Sequence, residues 1–487
     1  MSTAFTFHVN ARKGGEWMNN AVVRIESLEI TNFKNVGHGC LKLENEKKEF
    51  QSSVLGLYGQ NGSGKTALID ALELLRLAFS GRPVPVYFAD CVNVDSDHAA
   101  IKYGLKVQNL KENVNYTVFY EVSIRRDVEE TEQNTEQPIG EITHKATLFN
   151  EVLSYAYEGQ DTKIRLSPAI DTRTSGRAFT PKTKYEQLMG KSKETETNLL
   201  VAKQLASASS RSFIFSREFL NQLRQNCKED HCRFLMESLV LFGNYELFVI
   251  TTRNAGLISM DVLPLVFNYG GEKQLATGSI LVSLDKPSPI HEEALSVVRK
   301  VVGNMNIALQ QLVPGLTIAV KELGKEILPS GVPGCRIQLV SRKNSKEIPL
   351  QYESDGIKKL ISVLQLLIAV YNKPSITVAI DELDSGVFEY LLGEVLHIVS
   401  ERGKGQLIFT SHNLRPLETL DKGFIAFTTT NPMNRYIRMN NVKATNNLRD
   451  LYYRNIVLDE QKEPVYEPTN NSEIALAFRR AGTCDGL

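Results

Sequence analysis

Long apolar runs are scarce in this 487-residue chain, and neither sign of charge is in surplus. The longest apolar run, LISVLQLLIAVY at 360–371, stops at Asn372, Lys373 and Pro374, well short of the about 20 residues that cross a bilayer. A membrane span is excluded. Lys plus Arg and Asp plus Glu both number 56, so a uniformly basic coat for nucleic acid is excluded while a local basic groove is not. The six cysteines, at 40, 91, 227, 232, 335 and 484, lack the paired spacing of a disulfide-stapled secreted domain. Cys227, His231 and Cys232 lie close together, but no second Cys or His pair nearby completes a four-ligand zinc set. The N-terminus lacks the apolar core of a signal peptide. No stretch sustains three or four heptads, which excludes long coiled-coil arms. These absences point to a soluble cytoplasmic protein with no membrane partner and reduced thiols.

What is present is a set of turns between strands and helices. Residues 22–33, VVRIESLEITNF, alternate as a strand, with CLKLENE as its partner. A short apolar strand, 54–58, then runs into Gly59-Gln-Asn-Gly-Ser-Gly-Lys65-Thr66, and an amphipathic helix follows with Leu68, Leu72, Leu75 and Phe79 on one side. This is G-x-x-x-x-G-K-[ST] in its strand, loop, helix setting. Gly59, Asn61, Gly62, Ser63 and Gly64 form a loop whose backbone N–H groups can turn onto phosphates. Lys65 reaches the β and γ phosphates of ATP, and the Thr66 hydroxyl can ligate Mg²⁺.

A second acidic strand is needed, and ITVAIDELDSG supplies it: residues 376–380 precede Asp381 and Glu382. Asp381 suits the Mg²⁺ shell and Glu382 suits a general base that polarises the attacking water. The strand 407–410 that follows ends at Ser411, His412 and Asn413. His412 therefore stands where open α/β sheets collect ligand groups, as a γ-phosphate sensor or as a structural cap. In YESDGIKKL, Ser354 precedes an apolar helical run. Read alone, it is the ordinary cap of a first turn.

The order of these motifs, P-loop, S-x-G leading a helix, acidic strand, D-S-G, then strand plus histidine, resembles the ABC-type ATPases of the AAA family, a class that includes SMC and RecF proteins and transporter motors. The resemblance implies an α/β P-loop NTPase head of ABC/SMC type with an antiparallel β lobe. It also implies homodimers or higher homo-oligomers formed through the heads, in which Ser354 and Gly356 cap the γ-phosphate held by a second copy. Asp384, Ser385 and Gly386 match the D-loop that crosses the same interface. The cap and the functional reading of Ser354 then coincide, because its helix dipole points at the partner's ATP. RIESLEITNFKNV resembles the first strand of RecF and SMC heads, and DELDSG with FTSHN resembles the OLD-like ATPases common in phage-defence operons. Two positions depart from the class: Glu353 replaces the usual leucine, and no glutamine can be assigned as the Q-loop.

The chain divides on this reading into an arm (1–19), a first half of the head with the P-loop and β lobe (20–175), a mostly helical insertion serving as lid or dimerisation lobe (176–345), a second half of the head (346–445) and a tail (446–487). Within the insertion, SPIHEEALSVVRKVVGNMNIALQQL keeps an apolar face at Leu295, Val298, Val302, Met305 and Leu309. Its basic spots, RTSGRAFTPKTK and SSRSFIFSR, can meet nucleic acid, although a solvated face is the commoner use of such clusters. The residues after His412 hold no glutamate plus Asp-x-Asp set of the TOPRIM nuclease that OLD proteins carry. The tail resembles that of stand-alone defence ATPases, which implies an ATPase that controls a separately encoded effector nuclease in anti-phage defence. A RecF-like DNA-binding repair ATPase is the alternative.

Overall fold

A computed structural model describes residues 21–43, 53–128, 144–159, 163–251, 262–271, 274–344, 346–439, 447–458 and 463–482. The expected arm at 1–19 lies outside these. Along the chain run β1 (Ala21–Phe33), β2 (Val36–Lys42), β3 (Ser53–Tyr58), α1 (Lys65–Phe79), β4 (His98–Asn109), β5 (Val114–Val128), β6 (His144–Glu158) and β7 (Lys163–Asp171). Helices α2 (Lys182–Met189), α3 (Lys193–Ala208), α4 (Arg217–Asn226) and α5 (Asp230–Leu241) follow, then β8 (Leu247–Ile250), β9 (Val262–Gly271), β10 (Gln274–Ser283), β11 (Ser288–His291), α6 (Glu292–Leu312), β12 (Thr317–Ile327), β13 (Pro333–Lys343) and β14 (Lys346–Pro349). The last part comprises α7 (Asp355–Asn372), β15 (Thr377–Ile380), α8 (Glu389–Arg402), β16 (Gln406–Thr410), α9 (Pro416–Thr419), β17 (Ile425–Thr428), β18 (Tyr436–Ile437), α10 (Leu448–Leu458) and α11 (Asn471–Gly482).

The central sheet has the order β18-β17-β3-β16-β15-β8, parallel except for β18. Its strands are apolar on both faces, as burial between two layers requires. Alternation along each strand sends Leu55, Leu57, Ala379 and Ile408 to one side and Val54, Tyr58, Val378, Ile380, Leu407 and Phe409 to the other. The first side is covered by α1, whose other flank meets an antiparallel sheet of order β2-β1-β4-β5-β6-β7. The second side is covered by α7 and α8. This is the expected α/β P-loop architecture with an antiparallel β lobe, and the longest helix among the described residues, α6, has 21 residues.

Buried hydrogen bonds tie the β lobe to the head. The Tyr103 hydroxyl donates to the Ala71 carbonyl at 2.6 Å. The buried Gln406 amide spans from the central sheet to β1, donating to the Ile25 carbonyl at 2.8 Å and accepting the Ile25 N–H at 3.1 Å.

The stretch expected to be mostly helical, 176–345, is mixed. Residues 182–241 carry α2–α5, but β8 belongs to the central sheet, beside β15. Beyond it, β9 pairs with β10, and β11, β12, β13 and β14 form another antiparallel sheet against which α6 packs through Val298, Val302, Met305 and Leu309. Helix α7 joins this layer to the head, since Leu360, Ile361 and Leu364 lie in its core while Val363, Leu366 and Leu367 lie in that of the head.

Candidate nucleotide site

The P-loop leaves the buried strand β3 and turns at once into α1. Gly59 has φ +155°, and a Cβ there would lie 1.7 Å from Thr428 Oγ1, so only glycine lets β17 approach this closely. Ser63 Oγ donates to the Gln60 carbonyl at 2.6 Å and is hydrogen-bonded with Thr428 Oγ1. Gly62 and Gly64 take φ +76° and +95°, with Asn61 and Gly62 exposed at the tip. The Asn35 amide donates to the Gly62 carbonyl, and the Tyr436 hydroxyl donates to the Gly64 carbonyl at 2.9 Å. The residue before α1 is Gly64, which supplies no side-chain cap. The first-turn N–H groups are thus left for an anion.

Lys65 Nζ donates to the Gly59 and Gln60 carbonyls at 2.8 and 2.9 Å, curling back over its own loop. Burial lowers the affinity of this ammonium for its proton, and the carboxylates of Asp381, Glu382 and Asp384 act in the other direction. These acids of the turn after β15 therefore act on the P-loop lysine, though they lie far from it in sequence.

Asp381 is 1% exposed at the end of β15. Thr410, at the end of β16, donates its hydroxyl to Asp381 Oδ1 at 2.6 Å and accepts the Glu382 N–H at 2.8 Å. One hydroxyl thus fixes the Asp381 carboxylate and the Glu382 backbone. Glu382 has φ +48°, in the left-handed region that side chains seldom occupy, and its backbone turns sharply off the strand. Asp384 Oδ2 accepts the backbone N–H groups of His412 and Asn413 at 3.0 and 2.9 Å, so the D-loop and the histidine turn form one unit. Partial burial, then the Lys65 charge, push the His412 imidazole below its usual value against the opposing pull of Asp384, Glu382 and Asp381.

Ser354 caps α7, its Oγ accepting the Ile357 N–H at 3.4 Å, and it is exposed together with Asp355 and Ser385. Gly356 meets the D-loop: a Cβ at that position would fall 2.1 Å from the Gly386 carbonyl oxygen. The sequence reading missed Thr410, Thr428 and Tyr436, and it also missed Lys359. This lysine is 3% exposed on α7, and burial pushes it down to about 8 despite the opposing charges of Asp381, Glu382 and Asp384. A lysine at the inner edge of a strongly apolar helix is the one signal that could have found it.

Mg²⁺ favours hard oxygen donors and takes few of them from protein. The Thr66 hydroxyl, beside Lys65 in the first turn of α1, and the Asp381 carboxylate are such donors. Among the described residues no group of three or more His, Cys, Asp or Glu side chains forms a metal cage. A two-donor set completed by phosphate oxygens and water fits that chemistry.

No curated protein sequence matches the chain. Among solved structures, it is similar to an SMC head bound to the C-winged helix domain of ScpA, at 13% identity and a TM-score of 0.35, over 85% of this chain and 97% of that one. An SMC head domain from Thermotoga maritima aligns at 14% identity and a TM-score of 0.34, over 85% and 99% of the two chains. The recombination mediator protein RecF in its ATPrS complex aligns at 12% identity and a TM-score of 0.33, over 81% and 94%. The family model described as "AAA domain, putative AbiEii toxin, Type IV TA system" matches residues 54–418, from the P-loop strand past the histidine turn, and the chain belongs to that family.

Proposed function

We propose that this chain binds and hydrolyses ATP with Mg²⁺, that a second copy completes the site in a head dimer, and that the cycle controls a separately encoded effector, a nuclease, in cytoplasmic anti-phage defence. The observation that carries the enzymatic part is the meeting of Lys65, Asp381, Glu382 and His412 at the carboxyl ends of β3, β15 and β16, where parallel sheets gather ligand groups. The defence role is supported by the family description, which names a putative toxin of a type IV toxin–antitoxin system.

On this reading, Lys65 exchanges its two loop carbonyls for the β and γ phosphate oxygens, and the first-turn N–H groups of α1 bind the remaining charge. Mg²⁺, held by Thr66 and Asp381, would neutralise charge building on the phosphates. Glu382 takes the proton of the attacking water, while the neutral imidazole of His412 hydrogen-bonds the γ-phosphate. The exposed Ser354 and Ser385, with the half-buried Gly356 and Asp384, face the nucleotide of the second copy.

Steady-state hydrolysis by the wild-type chain and by Glu382→Gln tests the assignment. The variant keeps ATP binding and loses about 100-fold or more in turnover, the scale of a lost general base. Equal turnover would assign the base elsewhere. Capture of an effector nuclease from the native host supports the control role, whereas tight, salt-sensitive DNA binding by the isolated chain would favour the RecF-like alternative.

A further inference from the structure

Two adjacent lysines on α7 stand in different surroundings. Lys358 pairs with Asp355 at 3.0 Å and Asp285 at 3.6 Å on the outer side of the helix. Lys359 points inward and is 3% exposed, beside the buried Leu360 and Ile361. An ammonium is kept at such a position only with anionic partners, because desolvation without them costs several kcal/mol. The anionic groups acting on it are Asp381, Glu382 and Asp384, and the same three act on Lys65 and His412. The backbone geometry agrees, since the first turn of α7 touches the 384–386 turn directly where Gly356 meets Gly386.

We propose that Lys359 is a positioning residue of the nucleotide site: its buried ammonium is the internal counter-ion of the 381–384 acidic turn, so that α7 is held against this turn until a divalent cation draws the acids away. The inference rests on the nucleotide-site reading above. It gives Lys359 a different task from Lys65. Lys65 faces the phosphates, whereas Lys359 links the occupancy of the acids to the helix that presents Ser354. A second cation competing for the same carboxylates weakens the hold, so the exposed end of α7 becomes free to adjust as the nucleotide arrives.

The test uses the full chain, a fluorescent non-hydrolysable ATP analogue and a Mg²⁺ titration. Lys359→Met should lower the half-saturating Mg²⁺ concentration roughly tenfold, because a repelling charge beside the acids is gone. Lys359→Arg keeps the charge and should stay within about twofold of wild type. Hydrogen exchange gives a second readout that does not need the variant to fold. In the wild-type chain, exchange at the amides of 357–360 should quicken when Mg²⁺ is added without nucleotide, before a second copy can cover this end of α7. A Lys359→Met midpoint within about twofold of wild type, or exchange at 357–360 that Mg²⁺ alone slows or leaves unchanged, would overturn the proposal while leaving the nucleotide site standing. Absence of any Mg²⁺-dependent binding by the wild-type chain would overturn both.

Discussion

Asp384 and His412, from turns that follow different strands, are joined by a 3.0 Å hydrogen bond from the His412 backbone N–H to Asp384 Oδ2. The bond runs through the backbone, so the imidazole stays free to face the site while the D-loop fixes where it stands. The Asn413 N–H reaches the same oxygen at 2.9 Å. A shift of either turn is therefore carried to the other.

Thr410 holds the two acids in register. Thr410→Val keeps the shape and removes the hydroxyl that Asp381 accepts from and Glu382 donates to. The fold should survive with a loss of about 1–3 kcal/mol, the cost of leaving partly buried polar groups unmade. Turnover should fall about 10-fold or more, since a displaced base loses its alignment with water. Denaturant unfolding and hydrolysis rates measured on one preparation check both, and a variant with wild-type turnover would show that the hydroxyl plays no part in aligning the acids.

Gln406 joins the β lobe to the head. Gln406→Leu strands the Ile25 N–H and carbonyl in the interior and should cost about 2–4 kcal/mol. Because the residue lies at the start of β16, away from the carboxyl edge, nucleotide affinity should be kept in whatever fraction is folded. A melting temperature equal to that of wild type would show that the two backbone groups find other partners.

Glu246 sets a pH dependence. Burial pushes its carboxyl up to about 7, with the Ser375 hydrogen bond and the Lys373 charge opposing. The folded state therefore holds a proton that the unfolded chain releases near 4.3. The sign follows: stability from this group is present below the unfolded value and is lost as pH rises through about 7. Glu246→Gln should thus be more stable than wild type at pH 8, with the difference vanishing toward pH 4. Thermal melts of both proteins across that range check it, and a difference independent of pH would contradict the assignment.

The local motifs were legible because each is a short sequence with its own geometry. The P-loop strand, expected at 54–58, is Ser53–Tyr58, and the acidic strand, expected at 376–380, is Thr377–Ile380. Contacts made over long sequence distances were not legible. Thr428 and Tyr436 brace the P-loop from strands more than 350 positions later, and nothing in their local sequence marks that role. The insertion was read as mostly helical because the periodic face of α6 is its strongest pattern. By contrast β12 is exposed along Lys321–Lys325 and lacks the alternation that announces a strand. Lys359 escaped notice because a lysine beside Lys358 reads as solvated until the helix is placed.

The central claim, one nucleotide site completed by two copies, is tested most directly by crosslinking across it. Asp355 is 96% exposed next to the capping serine, and Gln60 lies at the P-loop. Asp355→Cys and Gln60→Cys, combined with Glu382→Gln to stop turnover, should give a disulfide between two chains that forms with Mg²⁺ and ATP and fails without them. Crosslinks that form only within one chain, or equally without nucleotide, would contradict the account and leave Ser354 as a helix cap alone.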